Sequence, residues 1–206
     1  MVKKFCVNLV KILVILVFTN NLILADAKDN VRSYVDSLLE QSFAVLNNSK
    51  LSDSEKHSES KKLMTTNLDF ITMSKFVLGF KVKHLSAEQI QEFSLVYRDY
   101  VVSSLSKTLK LYNGQKVNVD SIELSRVIYN KNQQFSVKTK LIDAQNPGKF
   151  INIVYIVDQS PSGELKVFDL IIEGISWIKS QKDQISSLLE NRTFEELINE
   201  YKSKIN

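Results

Sequence analysis

Residues 166–178 read Lys-Val-Phe-Asp-Leu-Ile-Ile-Glu-Gly-Ile-Ser-Trp-Ile. β-Branched and aromatic residues dominate this stretch, and both sets of alternating positions are largely apolar, which predicts one strand with two apolar faces. Such a strand is either buried in a sheet or lines a cavity. Gly174 lies inside the run, and a glycine there indicates a bulge or a point where another group approaches the backbone closely.

Three segments upstream also alternate with period two: residues 116–128, 135–143 and 150–158. With residues 165–178 they predict four strands. The connections are short and rich in Asn, Gly, Pro and Ser, which are turn-forming residues, so neighbouring strands are expected to be antiparallel.

Helical periodicity lies on both sides of this meander. Three pairs of residues have the spacing of a capping box, namely Ser52/Glu55, Ser86/Gln89 and Thr193/Glu196. The helices expected are residues 29–47, 70–78, 87–112, 179–190 and 194–204, and residues 47–62 are expected to form a polar loop that leads into a solvent-facing helix. The order of helices, strands and helices predicts an α+β fold. We expect a curled antiparallel four-stranded sheet covered by several helices on one face, with an apolar cavity between them.

The first 27 residues have the layout of a secretory signal peptide: lysines, an apolar run and a small-residue site ending at Ala25 or Ala27. The alternative is an uncleaved membrane anchor, but Lys11, Asn20 and Asn21 interrupt the run well short of the ~20 apolar residues that span a bilayer. We therefore expect residues 1–27 to be removed and residues 28–206 to form a single domain.

Charge and cysteine content restrict the classes of function. The whole chain carries a formal charge of +4, and residues 28–206 retain 24 basic against 22 acidic residues, a charge of +2. No stripe of basic residues with interleaved aromatics is present, so nucleic acid is not an expected partner. Cys6 is the single cysteine and lies in the predicted signal peptide, so residues 28–206 contain neither a cysteine nucleophile nor a disulfide.

Enzyme motifs are also absent from the sequence: there is no glycine-rich phosphate loop, no Gly-x-Ser-x-Gly elbow and no pair of histidines at metal spacing. Asp169 and Glu173 would lie roughly 13 Å apart on an extended strand at ~3.3 Å per residue. That exceeds the ~9.5 Å limit for paired catalytic carboxylates. We expect both to tie loops and helix ends to the sheet, and we predict no catalytic residue and no metal site.

Several segments in series are similar to those of a known family. They are Phe76-Val77-Leu78-Gly79, Leu85-Ser86-Ala87-Glu88-Gln89, Phe93 with Tyr97-Arg98-Asp99-Tyr100, Leu109 with Tyr112-Asn113-Gly114-Gln115, and Val167 to Ser176. On these segments the chain resembles the MlaC family of periplasmic phospholipid-binding proteins, also described as toluene-tolerance auxiliary proteins. The likeness continues through residues 188–198. One departure is Leu165, where the family commonly has Trp.

The resemblance implies an NTF2-like fold and a monomeric carrier without a cofactor, whose cargo is phospholipid. It implies transport across the periplasm between an outer-membrane lipoprotein complex and an inner-membrane ABC transporter with its substrate-binding ring, which would support outer-membrane lipid asymmetry. Hiding two acyl chains of about 30 CH₂ groups in total from water involves on the order of 24 kcal/mol at ~0.8 kcal/mol per group. Only a nearly wholly apolar site can match that.

The candidate lipid-binding residues are apolar or aromatic and come from the predicted helices and sheet: Phe76, Phe93, Tyr97, Tyr100, Leu105, Leu109, Ile153, Tyr155, Leu170, Ile172 and Ile175. Any of them is equally consistent with ordinary core. Two other classes of function remain open. One is a small exported α+β enzyme acting on an apolar substrate with Asp169 or Glu173 as acid or base. The other is a partner-binding scaffold.

Overall fold

The computed structural model describes residues 26–109, 116–124, 133–143, 145–146 and 148–205. The predicted signal peptide lies outside the described residues except for its last two positions, and so do the end of the long helix and the first strand-to-strand turn. Among the described residues no helix is both long enough and apolar enough to cross a bilayer.

The elements follow the predicted order of helices, meander and helices. They are α1 over residues 26–47, α2 (Asp53–Asn67), α3 (Phe70–Leu78), a 3₁₀ turn (Gly79–His84), α4 (Ala87–Leu109), β1 (Lys116–Leu124), β2 (Gln133–Ile142), β3 (Phe150–Gln159), β4 (Leu165–Ile172), β5 (Ile175–Ser176), α5 (Trp177–Asn191) and α6 (Phe194–Ser203). The α+β class is confirmed.

Local signals in the sequence fix the helix starts. The Ser52 hydroxyl accepts from the Glu55 amide at 3.3 Å while the Glu55 carboxylate accepts from the Ser52 amide at 2.8 Å, which is the predicted capping box. The other two capping boxes also form. Asp69 caps α3, and Gly79 ends it with φ +58°, a conformation that glycine adopts without strain.

The sheet is antiparallel throughout, in the order β1-β2-β3-β4-β5. It therefore has five strands where four were predicted, because the prediction of one continuous strand through residue 178 is wrong. β4 ends at Ile172, Glu173 and Gly174 have φ of +47° and +81°, and the reversed chain pairs Ile175 with Ile172. Nothing lies within 4 Å of a Cβ built on Gly174, so the glycine serves the turn and not a close approach.

Two hydrophobic clusters hold these layers together. The larger is formed by α3 to α6 with Phe168 of β4, and Ile156 of β3 packs at its margin. The smaller joins α1 to the sheet, with Val31 and Val35 fully buried against β2 and β3. The helices therefore pack at two separate places, α1 over β2 and β3 and the others around β4. Leu68, between α2 and α3, forms a parallel bridge with Val167 and fastens the helices to β4.

Candidate functional site

One face of the sheet is covered by α1 over only half its length. Residues directly opposed in antiparallel strands, and residues two apart on one strand, lie on the same face. On this face α1 covers Phe135, Val137 and Val157, which are all fully buried. Further along the strands the same face continues through residues that α1 does not bury.

The half of this face that α1 does not cover includes five aliphatic residues, which we call the lip: Leu141, Ile151, Ile153, Ile172 and Ile175. The register places them side by side, since Leu141 pairs with Ile151, Ile153 with Ile172, and Ile172 with Ile175. Ile151, Ile172 and Ile175 keep 44%, 43% and 68% of their surface exposed. A contiguous aliphatic patch of this kind on a protein surface indicates a binding site.

A pocket adjoins the lip where α3 and α4 approach β4. Leu170, two residues before Ile172 on β4, belongs to the lining and connects the two surfaces. The lining is apolar apart from one carboxyl group and comprises Leu68, Met73, Val101, Leu105, Val167, Phe168, Asp169, Leu170 and Trp177.

The pocket is much smaller than the predicted cavity. Its volume is about 10 Å³, space for about one water molecule. Ligand pockets usually measure ~300–1,000 Å³. This pocket is therefore far narrower than the deep hollow expected between the long helix and the meander. Val101 and Leu105 of α4 line it together with side chains of β4.

Three of the helical candidates do not line the pocket but lie in an adjoining aromatic cluster, where Tyr97 contacts the lining residue Trp177 with ring centroids 6.4 Å apart. Phe93 and Tyr97 are fully buried, with ring centroids 5.5 Å apart, and both contact the Tyr201 ring of α6. Tyr100 packs edge-on against Tyr201 at 4.8 Å. Burial raises the pKa of Tyr97 and of Tyr201, as expected for phenols removed from water. These rings form the core of the helical layer.

The other candidates divide between the pocket, the lip and the α1 cluster. Leu105 and Leu170 line the pocket. Phe76 lies behind the lining, with its ring edge-on to Phe168 at 5.4 Å. Tyr155 packs at the margin of the α1 cluster, and burial raises its pKa to about 12. Ile153, Ile172 and Ile175 belong to the lip, and the Leu109 side chain is outside the described residues.

Sequence reasoning did not select Met73, Val101, Phe168 or Trp177 as site residues, although all four line the pocket. The available signal was weak. Val101 and Leu105 are four residues apart and so share one face of α4. Which face of that widely apolar helix meets the sheet depends on packing, so periodicity alone cannot separate lining residues from core.

The two acidic residues near the site have structural partners. Asp169 accepts hydrogen bonds from the Ser176 hydroxyl at 2.6 Å and from the amides of Leu170 and Ile178 at 2.8 and 2.9 Å. Burial raises the pKa of Asp169 against the opposing effect of these donors. The Glu173 carboxylate accepts from the Asn152 amide. Both side chains thus tie the turn and the start of α5 to the sheet, as expected from the sequence.

No group of three or more side chains able to hold a metal ion occurs in the part of the chain that the structure describes. The site therefore consists of an aliphatic lip, a narrow apolar pocket and one carboxyl group that already has three donors. It belongs to an α+β protein whose exposed site presents apolar surface.

Comparison with known proteins agrees with this class. The chain belongs to the MlaC family, because the family model described as MlaC protein matches residues 36–203. A solved structure of similar fold is the phospholipid-binding protein from Ralstonia solanacearum in complex with a phospholipid, with a TM-score of 0.67 and 18% identity. The alignment covers 87% of this chain and 96% of that one, and at this identity it establishes the fold. A search of curated proteins gives no match.

Proposed function

We propose that this protein binds phospholipid and carries it across the periplasm between an outer-membrane lipoprotein complex and an inner-membrane ABC transporter with its substrate-binding ring. The observation that supports lipid binding most directly is the lip. Three of its isoleucines remain about half exposed or more, next to an apolar pocket, and acyl chains are the ligand that such a surface suits. Membership of the MlaC family and the phospholipid in the related structure agree with it.

Binding of a whole phospholipid requires the pocket to widen. At about 10 Å³ it holds no acyl chain, whereas the lip is already accessible. We infer that acyl chains first contact the lip and then enter along Leu170 as α4 moves away from β4. The residues of α4 at the pocket, Val101 and Leu105, are apolar, and apolar packing can rearrange without breaking strand pairing.

Organic extraction of the purified protein followed by mass spectrometry tests lipid binding. We expect phospholipid in a fixed molar ratio to protein after gentle purification. Protein that is folded and yet free of phospholipid, and that takes none up from vesicles, would contradict the proposal. Transfer of a fluorescent phospholipid between two vesicle populations then tests carriage, since a carrier accelerates transfer in proportion to its concentration.

Export is part of the proposal and has its own measurement. The intact mass of the protein recovered from cells should correspond to a chain that starts at Asp26 or Lys28, and the protein should fractionate with the periplasm. Recovery of the full 206-residue mass in a membrane fraction would instead indicate the uncleaved anchor.

The enzyme alternative gains no support from the site. A general base needs a free lone pair directed at a substrate, and three of the roughly four acceptor sites of the Asp169 carboxylate already accept hydrogen bonds from protein donors. Hydrolysis of a lipid by the wild-type protein that disappears in Asp169→Asn would revive it.

A further inference from the structure

The turn between α3 and α4 carries an unusual distribution of charge. Residues 70–87 contain three lysines, Lys75, Lys81 and Lys83, and no aspartate or glutamate. The 3₁₀ turn directs Val82 toward the hydrophobic cluster and leaves Lys83 exposed. The outer surface of this turn is therefore basic.

An aromatic residue projects from the same turn. The Phe80 side chain is 69% exposed, the highest value among the large hydrophobic residues that the structure describes as exposed. The Lys81 ammonium lies 5.4 Å from the centre of its ring. An exposed phenylalanine beside lysines is the combination by which peripheral proteins contact a lipid surface, with the ring among the headgroups and the ammonium groups at the phosphates.

Helix α5 extends the basic surface. The Lys182 side chain reaches the turn, since its Cε would lie 3.4 Å from a Cβ on Gly79. Lys179 is exposed one turn earlier on the helix. None of these five lysines forms an ion pair with any residue in the described ranges. Along the chain, Asp69 and Glu88 border the first segment, and Glu173 and Asp183 border the second. Asp169 also attracts Lys179. Between these acidic residues both segments carry only positive charge.

One lysine of the basic surface is close to the lip in sequence. α5 begins at Trp177, directly after β5, so Lys179 follows the lip residue Ile175 by only four positions.

We propose that Phe80 and the lysines around it, Lys75, Lys81, Lys83 and Lys182, form a docking surface for the anionic face of a lipid bilayer. The proposal rests on the proposed function, because it concerns where lipid is taken up or released. A bilayer suits this surface better than an acidic protein does, because one projecting ring among flexible lysines needs soft headgroups and not a matching groove. Each lysine near an anionic surface contributes about fivefold to binding.

The test is co-sedimentation of the purified protein with lipid vesicles, using the protein with the N-terminus that it has when isolated from cells. One set of vesicles contains phosphatidylcholine alone, and the other also contains phosphatidylglycerol. We compare the wild type with a triple variant, Lys75→Gln, Lys81→Gln and Lys83→Gln, and with Phe80→Ala. The matched control is Lys50→Gln, Lys149→Gln and Lys202→Gln, which removes the same charge from exposed positions elsewhere. Thermal unfolding of each variant verifies that it is folded.

We expect salt-sensitive binding of the wild type to the anionic vesicles only, a loss of roughly a hundredfold in the triple variant at about fivefold per lysine, and little change in the control. Phe80→Ala should weaken binding severalfold. Equal losses in the two triple variants, equal binding to neutral vesicles, or no binding would overturn the docking surface, and capture of an acidic protein in place of vesicles would do so too.

Lipid extraction from the same preparations separates this inference from the proposed function. Variants that retain co-purified phospholipid but lose vesicle binding support the docking surface. If the wild type contains phospholipid but does not bind vesicles, the result agrees with the carrier function and contradicts the docking surface. A wild type without phospholipid contradicts the carrier function itself.

Discussion

The aromatic core of the helices and the lip of the sheet both consist of large apolar residues but differ in how deeply those residues are buried. In the core, Phe93, Tyr97 and Tyr201 are fully buried and contact one another through their rings. In the lip, Ile172 and Ile175 keep 43% and 68% of their surface in water. Apolar surface left open on an otherwise well-packed fold contributes little to stability, so we interpret it as surface kept for a ligand.

This comparison predicts its largest effect on stability in the aromatic core. Phe93→Ala should lower the free energy of unfolding by about 3–5 kcal/mol, because it leaves a cavity among Tyr97, Phe194 and Tyr201 that the rings cannot fill. Urea denaturation measures the change. Ile172→Ala in the lip is the control and should stay within about 0.5 kcal/mol of the wild type. Similar losses in the two variants would remove the distinction between core and lip.

Asp169 connects the two regions, and its loss should have the next largest effect. Asp169→Asn should cost about 1–3 kcal/mol, because amide nitrogen replaces one oxygen that accepts from protein donors. The control is Asp183→Asn, at an exposed position of α5, which should leave stability nearly unchanged.

The difference in stability between the wild type and Asp169→Asn should change with pH in a definite direction. Burial raises the pKa of Asp169, so the folded state binds a proton more tightly than the unfolded state, whose aspartate pKa is about 3.9. The stability that this proton contributes is fully present below about pH 3.9 and is lost as pH rises through the folded pKa. The stability gap between wild type and Asp169→Asn should therefore narrow as pH rises through this range. A gap that widens would mean that the donors to Asp169 outweigh its burial.

The stability of the protein should depend on Gly174 in the β4–β5 turn, which shapes the lip. Gly174→Ala should cost roughly 1–2 kcal/mol, because φ of +81° is unfavourable for a residue with a Cβ even though nothing lies within 4 Å of it. Gly148→Ala is the matched control, since the backbone there needs no positive φ and the nearest atom is 3.6 Å away. Equal stability of the two variants would show that the β4–β5 turn relaxes at no cost.

The lip itself should show the smallest change in stability and a large change in ligand binding. Ile175→Glu places a charge at a position that is 68% exposed, so stability should change by less than about 0.5 kcal/mol. Bound phospholipid should nevertheless fall sharply, because acyl chains would have to desolvate the carboxylate. The control is Leu95→Glu on α4, an exposed apolar position that does not belong to the lip, and this variant should keep its lipid. Full lipid content in Ile175→Glu would exclude Ile175 from the site.

Local sequence accurately predicted the starts of the three helices that have a capping box, because the two residues of a capping box are only three positions apart. Helix α5, which has no capping box, begins at Trp177, two residues before the predicted start at residue 179. Ser52 with Glu55 and Thr193 with Glu196 form their reciprocal hydrogen bonds as predicted. It was less accurate for residues 166–178. Glu173 adopts a positive φ that its residue type does not favour, and the pairing of Ile172 with Ile175 then reverses the chain where alternation suggested one strand.

The sequence predicted that the candidate site is apolar, but it identified only some of the residues that form it. Leu105 and Leu170 reach the pocket and three isoleucines form the lip, while Phe93, Tyr97 and Tyr100 pack in the helical core. Core and ligand surface both need apolar side chains at the same period. Periodicity therefore identifies the apolar residues that could form a site, but it cannot separate site residues from core residues.

By itself the sequence determined the order of helices and strands, the caps that start the helices and the supply of apolar residues, since each of these depends on neighbours in the chain. Tertiary structure decided that α1 covers one half of a sheet face and leaves the other half open, that α4 closes the pocket against β4, and that lysines from α3, the turn and α5 meet. Those outcomes depend on which surfaces pack together, and packing joins residues that are distant in sequence.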